Sequence, residues 1–185
     1  MAMTKTRMTV EEYIDATAGV QEPTQLIDGV MVVQQPRRPH QEALKWIFLA
    51  LVTWEGSTGG SGCVSLPLDV ILDRYNMYGP DVLWYSDEQR MEQDGYQREM
   101  PDLVVEVRSP STWRYDVGKK REIYELYGLP ELWLVDTKGR EVRVFRRSGP
   151  DTAGFDVEVT VAYHEVLTSP QLPGFELRLR EVFRL

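Results

Sequence analysis

The sequence predicts an α/β or α+β domain with a central mixed sheet flanked by helices, and three observations carry that prediction. Segments of helical and of strand periodicity follow one another as helix, hairpin, helix, several strands, helix and strands. Asp28-Gly29 between apolar residues marks a tight hairpin. The stretch Pro101 to Tyr124, PDLVVEVRSPSTWRYDVGKKREIY, runs from an apolar strand through a Ser-Pro-Ser turn into a helix.

The elements follow in order. Thr9, with Glu12 three residues later, forms a capping box and starts a short helix. Strands are expected near Thr24–Ile27 and Val30–Gln34, on either side of Asp28-Gly29. In PRRPHQEALKWIFLALVTWEG, apolar residues at Ala43, Trp46, Ile47, Leu49, Ala50 and Val52 predict a helix with a broad buried face, ending near Gly56. Gly56–Gly62 reads as a loop rather than a domain linker. Cys63–Leu72 is apolar and partly alternating, as in a strand, and DRYNMYG reads as a loop. Pro80–Ser86 is a strand, the polar Asp87–Met100 a surface excursion, and Pro101–Val107 a strand. Trp113 to Tyr127 is a helix stopped by Gly128 and Pro130. Glu131–Asp136 and Glu141–Arg147 form a hairpin around Lys138-Gly139, Phe155–Val161 is a further strand, and LPGFELRLREVF gives a short strand and a last helical turn. No internal repeat is visible, and 185 residues suit one domain, 1–185, with a real core.

A formal charge of −8 argues against a general nucleic-acid binder, which needs a basic surface. It leaves room for an enzyme that meets phosphate through a bound cation, since carboxylate ligands make the metal-free chain more acidic than its working form. No apolar run is long enough to cross a membrane, and the N-terminus lacks an apolar signal region, so a cytoplasmic protein without membrane contact is expected. The single cysteine, Cys63, has no metal-ligating companion and reads as a small buried residue.

The chemistry-bearing residues cluster around the central stretch. As a strand, Pro101–Val107 puts Asp102, Val104 and Glu106 on one face. As a helix, the next segment puts Asp116, Lys120 and Tyr124 on one face. Asp81, second in PDVLWYS, can meet Glu106 if the two strands are neighbours. Two carboxylates from adjacent strands suit Mg²⁺ or Mn²⁺, which prefer oxygen ligands and leave positions open for water and phosphate. A nearby lysine can orient water or neutralise phosphate.

Plainer readings stand beside these. Glu106, between two valines, is costly to bury unless it binds metal or pairs with Lys120 or Arg108. Asp102 reads as a strand-entry turn, Asp116–Lys120 as a helical ion pair, and Tyr124 as core. His40 reads as a surface cap at a helix start, Arg143, Arg146 and Arg147 as a solvated strand edge, and Trp46, Trp84, Trp113 and Trp133 as core or interface.

The stretches QLIDGVMVV, PDVLWYS, PDLVVEVRSPST, YDVGKKREIYELYGLPELWLVD, EVRVF and LPGFELRL, taken in order, resemble the bacterial Uma-type restriction endonucleases of the PD-(D/E)XK nuclease superfamily. The resemblance implies a restriction-endonuclease-like fold, a Mg²⁺ or Mn²⁺ cofactor, hydrolysis of phosphodiester bonds in DNA, and a homodimer. Asp81 matches the motif aspartate and Glu106 its acidic residue, so both are expected as catalytic and metal-binding residues. The usual lysine position, two residues after Glu106, holds Arg108, a poor proton acceptor that can still touch phosphate. Lys120 on the following helix matches the displaced lysine. Gln25 stands where the family often has a glutamate, at the edge of the site. The resemblance thus implies a nuclease. The alternative is an inactive nuclease-fold protein that serves as a binding or assembly module, which Gln25, Arg108 and the acidic charge favour. Asp102, Arg108, Asp116 and Tyr124 are accessory candidates.

Overall fold

A computed structural model describes residues 7–57 and 62–184. Residues 58–61 of the glycine-rich loop expected at Gly56–Gly62 lie outside the described residues.

Helix α1 (Val10–Thr17) starts at Thr9, whose side chain accepts from the Glu12 N–H while the Glu12 carboxylate accepts from the Thr9 N–H. Strands β1 (Thr24–Ile27) and β2 (Val30–Val33) pair antiparallel across Asp28 and Gly29, both at positive φ, as a two-residue hairpin turn requires. Helix α2 (Arg38–Ser57) follows.

The predicted strand Cys63–Leu72 is two strands in two sheets, β3 (Cys63–Ser65) and β4 (Val70–Asp73). Pro67 between them cannot donate to a ladder, and the chain changes sheets there. The predicted loop DRYNMYG contains β5 (Asn76–Tyr78), antiparallel to β4. Asp73 Oδ1 accepts from the Tyr75 N–H at 2.6 Å, a local Asx-type turn that closes the hairpin. Asp87–Met100 is only partly a surface excursion: Gln97 is buried and exchanges backbone bonds with Asp69 and Ile71.

Strand β6 (Val82–Tyr85) leads through this segment to β7 (Leu103–Val107). The expected helix Trp113–Tyr127 is three consecutive pieces: α3 (Trp113–Tyr115), a π-helical turn (Asp116–Lys120) and α4 (Arg121–Leu126). Strands β8 (Glu131–Asp136), β9 (Glu141–Arg146) and β10 (Val157–Ala162) complete the main sheet. A small pair, β11 (Val166–Leu167) and β12 (Leu177–Arg178), precedes α5 (Leu179–Val182).

The six-stranded sheet runs β10-β9-β8-β7-β6-β3. It is mixed: β7 and β8 are parallel, joined by the helical crossover, and the other pairs are antiparallel. Leu103, Val105 and Val107 pack toward the Ile47, Leu51 and Trp54 face of α2. Val104 packs on the other side with Ile123 and Tyr124 of α4 and with Ile27 and Tyr78 of the four-stranded sheet β2-β1-β5-β4. Glu106 shares that second face by alternation, so a carboxylate points into the layer between the main sheet and the helical crossover.

Candidate active site

Asp81 enters β6 beside the end of β7. Val82 pairs with Val105, so the antiparallel register carried back one residue sets Asp81 across from Glu106. Asp81 Oδ2 accepts from the Val107 N–H at 2.7 Å, and His40 Nε2 lies 3.1 Å from Oδ1. Both carboxylate oxygens are thereby fixed in direction while each keeps a lone pair.

Glu106 is buried. Its Oε1 accepts from the Tyr124 hydroxyl at 2.7 Å and lies 2.5 Å from Lys120 Nζ. Lys120 is fully buried and also lies 3.3 Å from Asp116 Oδ1. Asp116 Oδ2 accepts from Thr112 Oγ1 at 3.0 Å. The spacing of Asp116, Lys120 and Tyr124 puts Lys120 and Tyr124 against Glu106 and Asp116 against Lys120, across a π turn rather than a regular helix. π turns of this kind occur frequently at functional sites. Tyr78 stacks edge-on against Tyr124 and closes the set from the four-stranded sheet.

One ammonium faces three carboxyl groups, so the site holds more acidic groups than one cation can pair. Burial pushes the Glu106 carboxyl up against the opposing pull of Lys120, with Asp116 and Asp81 adding to the rise. Burial likewise raises Asp116. Burial on its own would lower Lys120, but Glu106 and Asp116 hold it above the ordinary lysine value.

A cavity of about 250 Å³ opens beside these groups, with Gln25, His40, Asp81, Glu106, Ser109 and Thr112 on its wall. Gln25 was expected at the edge of the site; it is buried and its Oε1 has no hydrogen-bond partner. His40, expected as a surface cap, is also buried, with Nδ1 unpartnered. The signal was present in the sequence: His40, Leu44, Ile47, Leu51 and Trp54 recur at helical spacing on the buried face of α2.

Two accessory candidates stand elsewhere. Asp102 lies about 13 Å from Glu106 along the extended strand. Its Oδ2 accepts from the Ser86 N–H and hydroxyl and from Arg90, which makes it a strand-entry anchor. Arg108 Nη1 lies 2.9 Å from both oxygens of Asp136, and its guanidinium sits over the Trp113 ring. It therefore binds the end of β8 and does not line the cavity. Burial opposes ionisation of Asp136, but the Gly139 N–H, Arg108 and the Lys138 N–H more than offset it and hold that carboxyl below its usual range.

Among the described residues no three histidine, cysteine or carboxylate groups converge as a ready metal cluster. Asp81, Glu106 and the unpartnered Gln25 Oε1 do share one cavity wall, and no donor is bonded to Glu106 Oε2 among the described residues. That all-oxygen set, with more carboxyl groups than Lys120 can pair, fits a hard divalent cation such as Mg²⁺ or Mn²⁺.

The fold and this arrangement define a nuclease-like α/β protein. The model of the Uma2 family, described as "Putative restriction endonuclease", matches residues 10–180, and the chain belongs to that family. A solved structure from Anabaena variabilis ATCC 29413, described as "a putative nuclease belonging to DUF820", superposes with a TM-score of 0.74 at 17% identity, over 96% of this chain and 98% of that one. The likeness supports the fold. No curated protein matches the chain. Among the described residues no helix is long and apolar enough to cross a membrane.

Proposed function

We propose that this protein is a metal-dependent nuclease that hydrolyses phosphodiester bonds in DNA. The observation that carries the proposal is the convergence of Asp81, Glu106 and the unpartnered Gln25 oxygen on one cavity. Asp81 and Glu106 would hold Mg²⁺ or Mn²⁺, with Gln25 as a neutral oxygen ligand. Such an ion, when bound, lowers the pKa of a coordinated water and stabilises charge on phosphate. The chain's own residues set the stage. His40 and the Val107 N–H orient Asp81, while Tyr124 and Lys120 fix Glu106. Lys120 is proposed as the lysine of the site. Its buried ammonium offsets part of the carboxylate charge, and its access to water or phosphate requires Glu106 to release it. Ser109 and Thr112 add hydroxyl groups to the cavity wall.

Mg²⁺ and Mn²⁺ titration by calorimetry on the wild type, Asp81→Ala and Glu106→Ala tests this, with cleavage assays on duplex and single-stranded DNA. Wild-type binding that both substitutions abolish supports the site. No binding at millimolar metal, with or without DNA, refutes it. That outcome would favour the second reading, an inactive nuclease-fold binding module, for which the amide at Gln25 in place of a carboxylate speaks. Sedimentation of the same samples tests the proposed homodimer.

A further inference from the structure

A second cavity, of about 380 Å³, adjoins the first, and Pro23, Gln34 and Pro67 line both. Its size is that of a small-molecule site. Its wall carries Tyr13, Thr24, Asp69 and Tyr96, and the Tyr13 hydroxyl is tied to Thr24 Oγ1 at 2.8 Å. Asp69 stands just ahead of β4, where its carbonyl accepts from the Gln97 N–H. Its carboxylate is different: half-buried, it makes no hydrogen bond or ion pair among the described residues, and burial pushes it up. Asp81, Glu106 and Asp116, by contrast, each have a partner that accounts for their position. A half-buried carboxylate left without a donor is costly, and a ligand that supplies N–H groups relieves the cost.

Building on the nuclease reading, we propose that this cavity receives one unpaired nucleobase of the strand being cut, and that Asp69 selects a base bearing an exocyclic amino group. The chemistry favours a base over the sugar-phosphate backbone, because Asp69 and the nearby Glu22 repel phosphate. An aspartate accepts well from the N4 amino group of cytosine. Adenine offers the equivalent N6 group, whereas thymine has no exocyclic amino group and flanks its single N3–H with two carbonyl oxygens that the carboxylate repels. A base can enter such a pocket only if it is out of its duplex, so the substrate is single-stranded or locally unpaired there. The shared wall between the cavities puts the selected nucleotide next to the one whose phosphate meets Asp81 and Glu106.

The test is fluorescence anisotropy with oligo(dC), oligo(dA) and oligo(dT) of equal length in Ca²⁺, on the wild type, Asp69→Ala and Asp69→Leu. Wild type should prefer oligo(dC) and oligo(dA) over oligo(dT) by at least about fivefold, the low end for one good base contact. Asp69→Ala should erase the preference. Asp69→Leu, which keeps similar bulk but removes every acceptor, should do the same, and it serves if the alanine variant does not fold. Equal wild-type binding to all three, or a preference that survives in both Asp69→Ala and Asp69→Leu, overturns the base pocket while metal binding and DNA cleavage by the wild type leave the nuclease reading standing. Absence of both oligonucleotide binding and cleavage overturns the two together.

Discussion

Replacing Lys120 with methionine would remove the single ammonium from the buried set and leave Glu106 and Asp116 without their cation. Lys120 is fully buried, 2.5 Å from Glu106 and 3.3 Å from Asp116, and methionine fills most of the same volume, so the effect is mainly electrostatic. Breaking a buried pair by removing one partner costs about 3–5 kcal/mol. Against a total stability of about 5–15 kcal/mol for a domain, that is a large fraction. The cost depends on pH in a definite direction. Burial already raises the folded Glu106 and Asp116 carboxyls above their unfolded values, and Lys120 opposes the rise. Without Lys120 both rise further. A raised carboxyl contributes stability that is fully present below the unfolded value near pH 4.5 and is lost as pH climbs through the folded one. Because burial has already pushed the wild-type Glu106 carboxyl up to about 8, that group adds to the loss in Lys120→Met only above this value, so the loss should be larger at pH 9.5 than at pH 6. Urea unfolding followed by circular dichroism, with chelator present to keep metal out, measures it. The double variant Lys120→Met, Glu106→Gln should recover at least about 1 kcal/mol relative to the sum of the singles, because the two sites couple. An equal loss at both pH values, or a loss under about 1 kcal/mol at pH 9.5, would refute the electrostatic account.

Four further outcomes are expected. Alanine at His40 should weaken Mn²⁺ binding about 10-fold or more by freeing Asp81, while glutamine, which can donate to the same oxygen, should largely restore it in calorimetry. Gln25→Glu should tighten metal binding several-fold by adding charge to the cavity, and should lower metal-free stability by at least about 1 kcal/mol, since the new carboxyl is buried without a partner. Arg108→Ala should cost about 1–2 kcal/mol in urea unfolding through its lost bonds to Asp136, with metal affinity unchanged; a fall in metal affinity would return Arg108 to the site. Asp102→Asn should likewise destabilise the Ser86–Arg90 junction without altering metal binding.

What the sequence determined by itself is whatever a few consecutive residues can enforce. Asp28-Gly29 turns the chain because two successive residues tolerate positive φ, and Thr9 with Glu12 caps a helix through atoms three residues apart. The alternation that puts Glu106 among valines and the four-residue spacing of Asp116, Lys120 and Tyr124 are local as well, and the fold class follows from the order of such segments. Tertiary structure decided the partners. Nothing near Arg108 in sequence points to Asp136, and nothing near Cys63–Leu72 reveals that its two halves belong to different sheets. The π turn arises where the crossover must seat Lys120 between two carboxylates, one of them on a strand. His40 carried a periodic signal, yet only the packing of α2 against the mouth of β6 and β7 turns a buried histidine into the hydrogen-bond partner of Asp81. Periodicity tells which side of an element is buried; which charge waits on the other side is fixed only when distant segments meet, because the energy of a buried ion depends on its neighbours in space.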